Sequence, residues 1–266
     1  MAAVNLQGIK QEYILNGYVS GVDIISVETA SSHRKKMENI ESNFGDLHYK
    51  SKVHTILRSP YELSTLPVVL DIVEQFIGPD ILLYDATYIV KEPHSKAAVS
   101  WHQDLTYWGL SGDNQVSMWL ALSPANGQSG CMRMLPGSHI HGRRDHEVML
   151  DENNVLLQGQ TIRDVSEGNA VMCPLQPGQA SFHHGWTLHA SMPNRSNDRR
   201  IGLNVQYIAP HIRQTKHDLD SAMLVRGKDD YHHFADDIPA EIDLNPEAVA
   251  RQVELEKLHN LTQGSS

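Results

Sequence analysis

From Gly78-Pro79 onward the chain is cut into short strand-like runs, and this texture limits the folds open to it. The runs ILLYDATYIV, AAVSWHQDLTYW, QVSMWLALS, CMRMLPGSH, NAVMCPL, QASFHHGWTLHAS and RRIGLNVQYIAP are separated by Gly, Pro, Asn and Ser turn signals. Short strands at this spacing indicate a sandwich or barrel. No stretch of 3.6-residue periodicity interrupts them, which argues against a doubly wound βαβ fold. With 266 residues, 40% of them hydrophobic, the chain can bury one sizeable core.

The flanks read as helix. Ser26 can cap a helical stretch running to about Asn43, with Gly45 placed to stop it. LHYKSKVHTIL (47–57) alternates like a strand or an extended arm. In STLPVVLDIVEQFIG, Thr65 can cap and Pro67 lies in the first turn, while Leu66, Val69, Leu70, Val73 and Ile77 form an apolar stripe. NPEAVARQVELEKLHNL offers Asn245 as a cap and Pro246 at the first helical position. The expected organisation is one domain: N-terminal helices over about 26–77, a β core over about 80–210, and a C-terminal lid segment and helix over 211–266.

Several function classes are disfavoured. The net charge is −10 and the basic residues are scattered, so no nucleic-acid groove is expected. No run of about 18 apolar residues predicts a membrane span, and the start lacks a basic segment followed by an apolar one. Two cysteines, Cys131 and Cys173, are too few for a disulfide framework, and a cytoplasmic location is expected. Histidine is abundant at 16 copies, which makes a metal site worth seeking.

His102 and Asp104, in WHQDLTYWGL, are two residues apart and would share one face of an extended strand. Such a pair can supply two ligands to one ion. The third could be His183, His184 or His189; His189 is preferred because an anion-binding pattern follows it. Ser191 lies two residues on, and Arg200 follows the turn-rich MPNRSND. If that turn closes a hairpin, ligand, hydroxyl and guanidinium line one groove, suited to a dicarboxylate whose other end chelates the metal. Two histidines and one carboxylate on one face of an ion match the facial triad of non-heme Fe(II) oxygenases. A zinc-dependent hydrolase and a non-catalytic ligand- or metal-binding barrel remain the competing readings.

Three segments in this order and spacing resemble the phytanoyl-CoA dioxygenase family of Fe(II)/2-oxoglutarate oxygenases. They are WHQDLTYWGL, SGCMRMLPGSH and HASMPNRSNDRR, and the resemblance runs from about Gly17 to Pro210. It implies a mainly β fold with flanking helices, the double-stranded β-helix, a cupin-like jelly-roll barrel. It implies His102, Asp104 and His189 as iron ligands, and Arg200 and Ser191 as partners of the distal carboxylate of 2-oxoglutarate. Trp119, Lys52 and Tyr88 are implied as further co-substrate contacts. Fe(II), 2-oxoglutarate and O2 would be needed, with succinate and CO2 released. Related halogenases replace the carboxylate ligand with Ala or Gly, so Asp104 points to hydroxylation.

The substrate is expected to be a small free metabolite, because the acidic chain lacks a basic surface for the phosphates of an acyl-CoA. Trp101, Tyr107 and Trp108 would wall the cavity and could contact a cationic amine. One of His183 and His184 would also reach substrate, and His184 is taken as that contact. The loop 105–115 and the segment 211–234 are the expected walls and lid. Oligomeric state is not legible.

Overall fold

The computed structural model describes residues 4–148, 154, 156 and 160–264. It begins with helix α1 (Leu6–Asn16), capped by Asn5 and ended by Gly17, whose φ of 79° lets the chain turn directly into strand β1 (Tyr18–Asp23). Ser26 caps α2 (Val27–Phe44) by accepting a hydrogen bond from the Thr29 amide. Helices α3 (Arg58–Ser64) and α4 (Pro67–Ile77) follow.

Strand β2 (Ile81–Lys91) opens the β region. It continues through β3 (Val99–His102), the single-turn helix α5 (Leu105–Trp108), β4 (Gln115–Ala121), β5 (Met132–Met134), β6 (Glu147–Val148), β7 (Gln160–Thr161) and β8 (Val171–Cys173). Then come β9 (Gln179–His184), β10 (His189–Ser191), β11 (Arg200–Ile208), β12 (Ser221–Arg226), β13 (Ala235–Asp236) and helix α6 (Pro246–Gly264). Asn245 Oδ1 accepts from the Glu247 and Ala248 amides at the start of α6.

Seven strands form the main sheet in the order β1-β9-β4-β11-β2-β12-β13, and four form a smaller sheet in the order β3-β10-β5-β8. This is the mainly β architecture with flanking helices expected from the strand texture. Both faces of the main sheet are covered, so β2 and β4 are buried at every position. On the outer face Ala86, Tyr88, Val90, Met118, Leu120, Leu203 and Val205 pack with Tyr13, Val69, Leu70, Val73 and Ile77 from the helices. The inner face meets the smaller sheet across a cavity lined by Asp85, Thr87, Ile89, Trp119, Arg200, Asn204 and Gln206 from one side and His102, Met132, His189 and Ser191 from the other.

Four sequence expectations change. The arm 47–57 is not a strand: Tyr49 and Lys52 take left-handed backbone (φ 57° and 56°), leaving one bridge between His48 and Tyr88 and a 3-10 turn at Val53–Thr55. Thr65 does not cap α4; it closes α3, with amide and hydroxyl donating to Tyr61 O, and Leu66 precedes Pro67 without a side-chain cap. Strands β10 and β11 are not one hairpin, since they belong to opposing sheets. The segment 211–234 contributes β12 to the main sheet rather than lining the cavity; α6 does that, through His259 and Asn260. No described helix is long and apolar enough to cross a membrane.

Candidate metal centre

His102 ends β3, and His189 begins β10 directly opposite it in the antiparallel ladder. Asp104 is not on the strand. The chain turns after His102, and Asp104 stands at the N-terminus of α5 with helical backbone (φ −57°, ψ −48°). The strand-to-helix turn, rather than strand alternation, therefore brings the carboxylate to the imidazoles. Asp104 Oδ1 lies 3.4 Å from His102 Nε2 and 3.5 Å from His189 Nε2.

The histidine tautomers are fixed by their neighbours. His102 Nδ1 donates to Ser100 O at 2.9 Å, and His189 Nδ1 donates to Thr187 O at 3.0 Å. A carbonyl can only accept, so in each neutral ring Nε2 carries the lone pair. Burial, with the His102 ring beside it, holds His189 well below the ordinary imidazole range, which keeps it in the ligating form. Burial opposes ionisation of Asp104, but a proton on the His189, His102 or His183 ring offsets that cost and holds the carboxyl well below its ordinary range. Two nitrogen lone pairs and one anionic oxygen, all within 4.8 Å of one another, fit a divalent ion. Ligands about 2.1 Å from an ion are separated by roughly 3 Å, close to the spacing seen.

The second carboxylate oxygen is held by the main sheet. Ser117 Oγ donates to Asp104 Oδ2 at 2.8 Å, and His183 Nε2 lies 3.1 Å from the same atom. Gln115 Nε2 in turn donates to Ser117 Oγ at 2.9 Å. Gln103 is fully buried, and its side chain turns to neighbouring loops instead of joining the ligand cluster. Its Nε2 donates to Gly142 O and Trp186 O, and its Oε1 accepts from the Arg144 amide, so it ties the metal turn to two loops.

At the other end of the cavity Arg200 is 1% exposed and lies over the Trp119 ring at 4.9 Å. Its Nη1 donates to Gly130 O at 2.8 Å, while its Nε has no partner among the described residues. Burial lowers its pKa to about 10, so it remains a cation at neutral pH. Ser191 lines the same end, its Oγ accepting from Lys91 Nζ at 2.7 Å. Lys91 sits opposite Arg200 in the β11–β2 ladder, and burial, with the Arg200 charge second, lowers its amine to about 6. Arg199 faces outward, pairing with Glu41 and Glu92 at 2.8 Å.

The cavity gathers His102, Asp104, His189, Ser191, Arg200, Trp119, Tyr107 and Trp108 from the sequence-derived set. Four residues are elsewhere. Lys52 is buried with its amine donating to Tyr84 O, Ser221 O and Asp237 Oδ2, so it has no donor left for a co-substrate. Tyr88 alternates with Thr87 and Ile89 and faces the helical core. Trp101 packs with Ile162, Leu188 and Ala190 on the reverse of the smaller sheet, under Arg133. His184 points towards Tyr13 and His139, and His183 takes the cavity position. Ser117, Tyr49, Asp85, Asn204 and Gln206 were missed as site residues. Strand alternation from Trp119 and Arg200 would have found Ser117, Asn204 and Gln206.

The phytanoyl-CoA dioxygenase (PhyH) family model matches residues 21–202. Bovine peroxisomal phytanoyl-CoA dioxygenase is 30% identical over 152 residues, covering 55% of this chain and 45% of that protein. A probable alpha-ketoglutarate-dependent hypophosphite dioxygenase from Stutzerimonas stutzeri is 30% identical over 149 residues, covering 53% and 50%. The match spans about half the length of these relatives. The solved apo structure of the non-heme monooxygenase ThoJ superposes with a TM-score of 0.84 at 27% identity, covering 97% of this chain and 100% of ThoJ.

Proposed function

The chain belongs to the phytanoyl-CoA dioxygenase family, and from that membership we propose that it is an Fe(II)- and 2-oxoglutarate-dependent dioxygenase. It hydroxylates a small-molecule metabolite and releases succinate and CO2. One observation carries the reading: the convergent His102, Asp104 and His189 ligand atoms share a cavity with a buried, partly unpaired arginine.

His102, Asp104 and His189 would hold the iron, which supplies the oxidation when bound. Arg200 would take the distal carboxylate of 2-oxoglutarate through its free Nε edge, its plane set by the Trp119 ring and Gly130 O. Ser191 Oγ, already accepting from Lys91, has its own hydrogen left to donate to that carboxylate. The apolar walls of Ile89, Val99 and Met132 exclude water between the two ends. Asp104 keeps the position a halide would need, which favours hydroxylation.

The test is succinate release from 2-oxoglutarate by protein supplied with Fe(II), with His102→Ala and Arg200→Met beside it. Turnover is expected to fall at least a hundredfold in His102→Ala, and the KM for 2-oxoglutarate to rise in Arg200→Met. Unchanged turnover in His102→Ala would overturn the assignment.

A further inference from the structure

Ladder registers place four cavity-facing residues in one row across the main sheet. His183 pairs with Ser117, Ser117 with Gln206, and Gln206 with Asp85. The first two hold Asp104 Oδ2, so the row starts at the metal centre. Gln206 and Asp85 lie one and two strands further on, within roughly 10 Å of Ser117. Arg200 is six residues from Gln206 along β11, roughly 20 Å away on a regular strand. A co-substrate reaching from the metal to Arg200 leaves the Gln206–Asp85 end of the cavity open to something else.

That end carries polar groups awaiting a partner. Gln206 is 7% exposed and lines the cavity, and its Oε1 has no hydrogen-bond partner among the described residues. Ser51 is 2% exposed, lines the same end, and its Oγ is likewise unpaired there. Asp85 Oδ1 accepts from the Lys52 and Ala86 amides, whereas Oδ2 accepts from Thr87 Oγ1 at 3.0 Å and has capacity for another donor. His259 Nε2 stands 3.8 Å from Oδ2, beyond hydrogen-bond reach. All three oxygens can accept a hydrogen bond, and two of them, Gln206 Oε1 and Ser51 Oγ, are buried with no partner among the described residues, which is costly.

The charge at this end is negative. Asp85, Asp220 and Asp237 surround the Lys52 amine, which donates to Asp237 Oδ2 at 3.0 Å and to two carbonyls rather than into the cavity. Asp85 is the carboxylate of these three that lines the cavity, with His259 3.8 Å from it, and an anionic side chain there disfavours a substrate carboxylate or phosphate and favours a cation. Tyr107 and Trp108 add aromatic wall, and His259 and Asn260 of α6 close the top.

We infer that Asp85, Gln206 and Ser51 bind a protonated amine on the substrate, an inference that rests on the oxygenase reading above for what then happens to that substrate. An ammonium offers three N–H donors, matching Asp85 Oδ2, Gln206 Oε1 and Ser51 Oγ one for one. The substrate class is therefore a small organic amine, oxidised at a carbon that lies between the amine site and the metal.

The test uses hexylammonium, hexanol and hexanoate as probes of one length. Each is titrated anaerobically into protein with Fe(II) and 2-oxoglutarate and into protein without them, following the fluorescence of the cavity residues Trp108 and Trp119. Hexylammonium is expected to bind at least tenfold more tightly than the other two. Asp85→Asn, which keeps an acceptor for the backbone amides, and Gln206→Leu, which breaks no described hydrogen bond, are each expected to erase most of that preference. Equal binding of the three probes, or a preference intact in Gln206→Leu, overturns the inference. Amine selectivity without 2-oxoglutarate binding would instead overturn the oxygenase reading and leave the amine site standing. The reverse pattern would overturn the amine site alone.

Discussion

Ser117 Oγ donates a 2.8 Å hydrogen bond to Asp104 Oδ2 across the interior, joining a strand of the main sheet to the carboxylate at the head of α5. That bond leaves Oδ1 turned to the two imidazoles. Removing it in Ser117→Ala frees the carboxylate to rotate, with His183 the remaining partner of Oδ2 among the described residues. Fe(II) affinity is expected to fall by 10- to 100-fold, measured by competition with a chelator. Equal affinity in the variant would show that Ser117 does not orient the ligand.

Gly202 faces the Trp119 indole so closely that a Cβ there would overlap the ring. Because Trp119 lies over Arg200, Gly202→Ala is expected to displace the indole and release the guanidinium from its stacked position. The KM for 2-oxoglutarate should rise about tenfold or more, while the affinity for Fe(II) at the opposite end stays within threefold. Loss of both together would indicate general unfolding instead.

Gln103 satisfies two carbonyls and one amide from the sheet-to-helix turn. Gln103→Leu keeps the volume and strands all three groups. Destabilisation of about 3 kcal/mol is expected in urea unfolding, since each stranded buried group costs about 1–3 kcal/mol and solvent will reach some of them. A change under about 0.5 kcal/mol, the range of ordinary surface substitutions, would contradict this.

The strand texture after Gly78 was enough to expect a β fold, because its turn residues fall between the segments that pair into the two sheets. The metal ligands were legible as residue types in motifs, yet their geometry was not. Strand alternation suggested that His102 and Asp104 share a face, whereas the chain leaves the strand between them and α5 turns Asp104 back. Lys52 and Tyr88 misled for a related reason. A lone lysine in a sequence does not show that Asp237, 185 residues on, will take its charge. A tyrosine in a strand buried on both faces does not announce which face it takes. Asp85 was hidden because its meaning lies in ladder register, which pairs it with Gln206 over a hundred positions away.

Lys91 connects the Arg200 end of the cavity to a pH dependence. Burial, reinforced by the Arg200 charge, lowers its amine from 10.5 to about 6. Between those values the unfolded chain carries a proton on this lysine and the folded chain does not, so stability rises with pH across the window. The destabilising contribution is full below pH 6 and fades towards pH 10.5. Lys91→Met removes the titration while losing the hydrogen bonds to Ser191 and Met192 at every pH. The stability of Lys91→Met relative to the parent protein should therefore be highest near pH 6 and decline steadily towards pH 10, as read from urea unfolding at several pH values. A difference that stays flat over that range would mean that Lys91 is protonated in the folded protein throughout. Arg200 and Lys91 would then present two permanent charges to a bound dicarboxylate.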